Sequence, residues 1–184
     1  MIRLAVLVSG GGTNLQRIID AIHTHELQKH KITCVIADRE CFATERAKKS
    51  NIPHHTLERN AQLSDTIHAL LYQKADYIIL AGFLSILNQT FCENWQQKII
   101  NIHPSLLPKY GGKGMYGDKV HQAVLDNHEE ESGATVHFVT AGIDEGAIIL
   151  QQKTPVFEND TVESLANRIH QIEYSILIEA IKLL

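Results

Sequence analysis

The chain has 184 residues, 44% hydrophobic and 21% charged, the balance of one globular α/β domain with a core of its own rather than of a disordered segment. Its net charge of −4 lacks the basic footprint of a nucleic-acid-binding protein, so a phosphate-bearing ligand has to be met by a local site. Three cysteines, Cys34, Cys41 and Cys92, with no C-x-x-C pair, argue against disulfides and a structural zinc site and fit buried or half-buried thiols in a reducing, cytoplasmic compartment.

The opening MIRLAVLVSGGG reads as a buried strand entering a turn, not as a signal peptide. No apolar run reaches membrane-spanning length. Residues 2–8 are a continuous apolar strand, as in a sheet covered on both faces. A helix follows over 14–25, with Leu15, Ile18, Ile19 and Ile22 on one face. A second strand spans 32–37, a helix 44–50 closed by Asn51-Ile52-Pro53, and a short strand 54–57. A helix over 64–74, a strand over 77–81 ended by Gly82, a helix over 88–96 and a strand over 99–102 complete the alternation. Residues 103–116 hold two prolines and three glycines without periodicity; a loop this long is usually functional. A helix resumes over 117–126. Residues 135–139 and 148–153 alternate like an antiparallel pair. The last helix is the clearest, with Asp160-x-x-Glu163 as a candidate capping box and an apolar stripe from Val162 to Ile181. Strand–helix alternation predicts a single α/β domain over 1–184: a doubly wound, mostly parallel, Rossmann-like sheet with an antiparallel strand pair near the C-terminus. Such sheets bind ligands beyond the carboxyl ends of their strands.

Ser9-Gly10-Gly11-Gly12-Thr13-Asn14 lies between the first strand and the first helix. Glycines let backbone N–H groups approach an anion, and the helix N-terminus adds unpaired donors and a positive dipole end. Gly11, Gly12, Thr13 and Asn14 therefore form a candidate single-phosphate cradle. The loop is neither a G-x-x-x-x-G-K-[ST] P-loop nor a full G-x-G-x-x-G fingerprint, since Leu15 stands where the third glycine belongs. The plain alternative is a tight turn that binds nothing.

Asn101 and His103 end a buried strand with one residue between them, so both side chains point to one face. They set an amide donor beside an imidazole. On spacing alone, a solvated turn residue is the commoner reading of Asp144, in Gly142-Ile143-Asp144-Glu145-Gly146; it gains a role if that turn folds over His103. Together the three suit acyl transfer to an amine. Asn101 and a protonated His103 would stabilise the oxyanion of a tetrahedral intermediate, and Asp144 would orient and favour the imidazolium. Direct transfer needs no Ser or Cys nucleophile. No H-E-x-x-H occurs among the eleven histidines, which disfavours metal-assisted hydrolysis.

The segments VLVSGGGTNLQ, LAGFLSIL, NIHPSLLPKY, SGATVHFV and GIDEGAIILQ resemble, in order and over nearly the whole chain, the folate-dependent formyltransferases, in their phosphoribosylglycinamide branch. NIHPSLLP with the later Asp motif marks the wider formyl-folate enzymes; the glycine loop ending in Thr13-Asn14 is more specific to the ribonucleotide branch. The resemblance implies transfer of the formyl group of 10-formyltetrahydrofolate, a co-substrate, to the amine of 5'-phosphoribosylglycinamide in purine biosynthesis, without a metal. It implies Asn101, His103 and Asp144 as the catalytic trio and Gly11, Gly12, Thr13 and Asn14 on the substrate phosphate. Gly82, Pro104 and Glu173 would contact the rest of the ribonucleotide. Phe83, Leu84, Ile86, Leu87, Val139, Ala141, Gly142 and Ile143 would line the folate site. The implied partners are these small molecules, with no nucleic acid and no membrane, and a homodimer is left open.

Three features depart from the family pattern. Ser85 stands where the family often has Arg. The KYGGKGMYGDKVHQAV segment is longer and richer in glycine than the common form. The tail that many relatives carry past the last helix is missing. Other formyl-folate enzymes, whether a formyltetrahydrofolate hydrolase or a transferase with a different amine acceptor, are the nearest alternatives; a non-catalytic phosphate-binding module on the same fold is the other.

Overall fold

The computed structural model describes residues 1–184 and divides into two compact units, residues 1–101 with Leu184, and residues 102–183. In the first unit, β1 (Ile2–Val8) is apolar at every position after Arg3, and its residues 4–8 are fully buried. A strand that can be buried on both faces belongs inside a parallel sheet. There it pairs in parallel with β2 (His30–Ala37) on one side and β4 (Tyr77–Leu80) on the other. β3 (His54–Thr56) pairs with β2, and β5 (Ile99–His103) with β4, giving the order β3-β2-β1-β4-β5. The connections are α1 (Thr13–His23), α2 (Phe42–Lys49), α3 (Leu63–Leu71) and α4 (Gln89–Asn94). The chain moves outward from β1 through β2 and β3, then returns to β1's other edge as β4. That reversal leaves a crevice at the carboxyl ends of β1 and β4, the place where open α/β sheets bind ligands.

The second unit starts in the last two residues of β5. It contains α5 (Asp118–Asp126), the antiparallel pair β6 (Glu131–Phe138) and β7 (Ile148–Pro155), and α6 (Val162–Lys182). α6 packs against β6 and β7, and α5 against α6. Leu165, Ile169, Ile172, Ile176, Leu177, Ala180 and Ile181 form its buried stripe. No helix is long and apolar enough to cross a membrane.

The fold is thus α/β with mostly parallel strands and one antiparallel pair near the C-terminus. Two local expectations are corrected. β6 begins four residues before its apolar alternation suggests, because Gly133 lets the strand run flush against its neighbour; a Cβ there would overlap the Gln152 carbonyl. The capping box at α6 is Thr161 with Ser164, not Asp160 with Glu163: Thr161 Oγ1 accepts from Ser164 N at 3.1 Å and Ser164 Oγ from Thr161 N at 2.9 Å. Asp160 sits one residue outside the helix. Its carboxylate takes Arg168 (2.6 and 2.9 Å) and Phe157 N (2.8 Å), and Arg168 above all holds it well below the usual carboxylate range.

His121 on α5 is 1% exposed. Burial pulls its imidazole down to about 4, with the charge of His170 acting the same way, Asp118 opposing both and His103 adding to the lowering. The folded state therefore binds fewer protons than the unfolded one. Stability is full above the unfolded value near 6.5 and is lost as pH falls towards 4. In chemical denaturation, the parent should lose about 2 kcal/mol more between pH 7 and pH 5 than His121→Gln does. Ile169→Ala, which empties a fully buried position, should cost about 2–5 kcal/mol by the same measurement with an unchanged denaturant slope.

Candidate active site

At the crevice of the first unit, β1 runs through Ser9 into the glycine loop. Gly12 has φ +71°, and a Cβ on it would lie 2.6 Å from the Ala43 Cβ of α2. Glycine is therefore required at position 12 by the fold itself. Gly10 and Gly11 are different: a Cβ on either would meet nothing within 4 Å. No steric contact requires glycine there, and both positions are exposed bare backbone. The loop's carbonyls are already engaged. Gly10 O accepts from Ala43 N, Gly11 O from Arg46 Nε at 2.7 Å and Gly12 O from Gln16 N. The N–H groups of the first turn of α1, from Thr13 onward, have no intrahelical acceptor, and they carry the positive end of the helix dipole.

The segment after β4 is fastened to this loop. Gly82 turns the chain at φ +73°, and Leu84 N donates to the buried Ser9 Oγ at 2.8 Å. Ser85 Oγ donates to Asp38 Oδ2 at 2.6 Å. Asp38, at the end of β2, is buried and also receives Arg59 (2.6 and 2.8 Å) and Arg39 (3.3 Å). The carboxyl ends of β1, β2 and β4 are thereby bonded to one another through side chains. Of the apolar residues here, Phe83 and Leu87 point into the core, while Leu84 and Ile86 are exposed. Asn101 of β5 pairs opposite Leu80 of β4 and is half-buried.

In the second unit, His103 ends β5 and is 4% exposed. Its Nε2 lies 2.8 Å from the Tyr110 carbonyl. A carbonyl only accepts, so Nε2 carries a proton. The other nitrogen, Nδ1, faces Asp144 Oδ2 at 3.6 Å. Asp144 Oδ2 also accepts from Gly112 N at 2.9 Å, and Oδ1 lies 3.5 Å from His137 Nε2. His137 donates from Nδ1 to the Phe138 carbonyl at 2.9 Å. One carboxylate is thus shared between two buried imidazoles and a backbone N–H. Burial works to raise the Asp144 carboxyl but is outweighed by the His137 hydrogen bond, the His103 charge and the Gly112 N–H, and the net direction is downward. For His103 the balance goes the other way. Burial lowers it, Asp144 and the Tyr110 carbonyl raise it, His137 lowers it further, and the net direction is downward. Both ring nitrogens face acceptors, which favours the charged ring, while burial favours the neutral one.

Leu107, Pro108, Gly111, Gly112, Ile143, Asp144, Glu145, Gly146 and Ile148 line a cleft of about 490 Å³ in this unit. Pro104, next to His103, is half-buried. Val139, Gly142 and Ile143 are half-buried and Ala141 is exposed on the segment leading to Asp144. Glu173 is 5% exposed on α6, with His170 Nε2 at 3.7 Å, and is not the exposed helix carboxylate that a sequence alone allows. Within this unit the structure brings His103 and Asp144 together; Gly11, Gly12, Thr13, Asn14, Gly82, Phe83, Leu84, Ile86, Leu87 and Asn101 belong to the first unit.

Two contributors were not read from the sequence. His137 sits in SGATVHFV as a buried polar residue within an apolar alternation, and that mismatch is the signal that could have found it. Tyr110 acts through its backbone carbonyl, which no side-chain pattern reveals. If Asp144 supports the charged ring of His103, Asp144→Asn should move the His103 titration midpoint downward. The midpoint in the parent should already lie below 6.5, and both values can be read from the C2 proton in a pH series by NMR.

A formyl transferase family model matches residues 2–181. Phosphoribosylglycinamide formyltransferase of Haemophilus influenzae (strain ATCC 51907 / DSM 11121 / KW20 / Rd) is 42% identical over 99% of this chain and 86% of its own length. The protein of that name from Escherichia coli (strain K12) is 39% identical over 94% and 82%. The crystal structure of glycinamide ribonucleotide transformylase 1 from Symbiobacterium toebii superposes with a TM-score of 0.91 at 36% identity, covering 98% of this chain and 86% of that one. With a buried His–Asp–His arrangement, a glycine loop at the sheet's switch point and these likenesses across nearly its full length, the chain belongs to the formyl transferase family.

Proposed function

We propose that this protein is a phosphoribosylglycinamide formyltransferase, moving the formyl group of 10-formyltetrahydrofolate to the amine of 5'-phosphoribosylglycinamide, with residues 1–184 as one catalytic domain. The observation that carries the reading is the Asp144 carboxylate between two buried imidazoles, one of them on the strand that also bears Asn101. That set suits acyl transfer, and the likeness to proteins named for this reaction supports the acceptor and the donor.

The substrate amine attacks the formyl carbon, building an oxyanion and a positive nitrogen. The Asn101 amide donates to the developing oxyanion, where a fixed donor is worth far more than water. His103 carries one proton on Nε2, which faces the Tyr110 carbonyl, and burial holds its pKa below the ordinary value. In its neutral form Nδ1, beside Asp144, is the nitrogen that can take, through water, the proton that the attacking amine must lose. The resulting imidazolium is stabilised by Asp144, whose lowered carboxyl stays ionised. Collapse breaks the bond between the formyl carbon and the folate nitrogen, and that nitrogen receives the proton that His103 took from the amine. Asn101, His103 and Asp144 are the proposed catalytic residues.

The backbone of Gly11 and Gly12, with Thr13 and Asn14, takes the substrate phosphate at the helix N-terminus. Gly82, Pro104 and the buried Glu173 contact the rest of the ribonucleotide, Glu173 through the ribose hydroxyls. Phe83, Leu84, Ile86, Leu87, Val139, Ala141, Gly142 and Ile143 receive the folate. The exposure of Leu84 and Ile86 suits surfaces that a flat heterocycle would cover. A reducing cytoplasmic setting fits three free thiols.

The test is a spectrophotometric assay of a 10-formyl folate donor, with and without the ribonucleotide. Donor consumption should require the ribonucleotide. It should fall about 10²–10⁴-fold in His103→Ala and about 10²–10³-fold in Asn101→Ala. Consumption without the acceptor would mark a hydrolase, and no consumption by the folded protein would sink the transferase reading.

A further inference from the structure

Seven residues other than glycine have a left-handed backbone: His25, Asn51, Gln73, Gln97, Tyr110, His128 and Asp144. Five of them follow within two residues of a helix's C-terminal cap, where this conformation is a common way to end a helix. The other two, Tyr110 and Asp144, end no helix, and both hold His103: Asp144 faces its Nδ1 and the Tyr110 carbonyl accepts from its Nε2. An aromatic residue seldom adopts positive φ and keeps it only where its surroundings enforce it.

The enforcing contacts converge on one side chain. Tyr110 Oη donates to Glu129 Oε1 at 2.9 Å. Lys109 Nζ donates to both Glu129 oxygens, each at 2.9 Å. The Lys109 carbonyl accepts from Ser105 Oγ, a fully buried hydroxyl, at 2.6 Å. Glu129 lies in the turn between α5 and β6, and its own N–H donates to Val124 O of α5 at 3.2 Å. A carboxylate fixed to a helix end therefore grips two consecutive residues of the loop, the second of which presents its carbonyl to His103.

We propose that Glu129 is a positioning residue for His103, acting through the Tyr110 ring to hold the Tyr110 carbonyl on Nε2. This rests on the reading of His103 as catalytic. With Nε2–H committed to that carbonyl, the neutral ring is a single tautomer and its Nδ1 lone pair stays on the side of Asp144. Without the grip, Tyr110 relaxes from its left-handed backbone, the carbonyl leaves, and the ring samples both tautomers and a wider range of orientations. A lone surface ion pair would do none of this, since its loss leaves distant buried rings unchanged.

The experiment is ¹⁵N NMR of the His103 ring in the parent, Glu129→Ala and Tyr110→Phe, without substrates, followed by steady-state kinetics of the same three proteins. The parent should hold the neutral ring as the Nε2–H tautomer, and both variants should give a mixture. Turnover should fall about tenfold in kcat with each KM kept within about twofold, as expected when a positioned group is loosened rather than removed. Glu129→Asp should recover part of the kcat. Tyr110→Phe removes only a hydroxyl and serves should Glu129→Ala fail to fold. A ring that keeps its single tautomer in both variants overturns the proposal. So does a shifted tautomer with the parent's kcat. The ring measurement needs no folate and no ribonucleotide, so a parent without transfer activity whose tautomer still responds to Glu129 would sink the functional reading and leave the grip standing.

Discussion

Asp144 is an ionised group in a cleft wall with only 11% of its side chain exposed, and its neighbours must make up for most of the hydration it has lost. Here Gly112 N–H donates to it, and two imidazoles on different strands stand at 3.6 and 3.5 Å, each able to add a donor when the nitrogen facing it is protonated. Each supplier has to be delivered by a separate piece of chain. β5 must end at His103, β6 must run far enough to carry His137, and the glycine-rich loop must turn back far enough to bring Gly112 within 2.9 Å. The long loop and the left-handed backbone at Asp144 itself are local departures from regular structure that this one carboxylate makes necessary.

The consequence for His103 is a ring pulled in two directions. Its hydrogen-bonding surroundings favour the charged form, and its burial favours the neutral one. A group in that balance can accept a proton during a reaction and release it afterwards, which a permanently charged or permanently neutral ring could not do. The sequence pattern carried the first half of this, since Asp144 near His103 implies support of an imidazolium. It could not carry the second half, because desolvation depends on how deeply the strand end is covered, and no spacing of residues states a depth.

Much of the architecture was legible for the same reason that depth was not. Parallel strands buried on both faces leave continuous apolar runs, so residues 2–8 and 77–81 announced themselves, and the stripe of α6 followed its 3.6-residue period. The failures were at places where one atom decides. Gly133 extends β6 because there is no Cβ to strike Gln152, and Ser164 rather than Glu163 closes the cap because its hydroxyl sits at the third helical position. Of the candidate site, the glycine loop and the pair on β5 were readable as residue types at a strand end. His137 was hidden inside an apolar alternation, and Tyr110 works through an atom that every residue possesses. Glu173 was ambiguous on its helix and proved to be buried.

The Asp38 cluster bears on which substitutions this corner of the sheet tolerates. The Ser85 hydroxyl donates to the same carboxylate that anchors Arg39 and Arg59. An arginine introduced at 85 would bring a third cation to a carboxylate that already serves two, while loss of Asp38 would leave two guanidinium groups facing each other. The identities at 38, 39, 59 and 85 are thus a linked set.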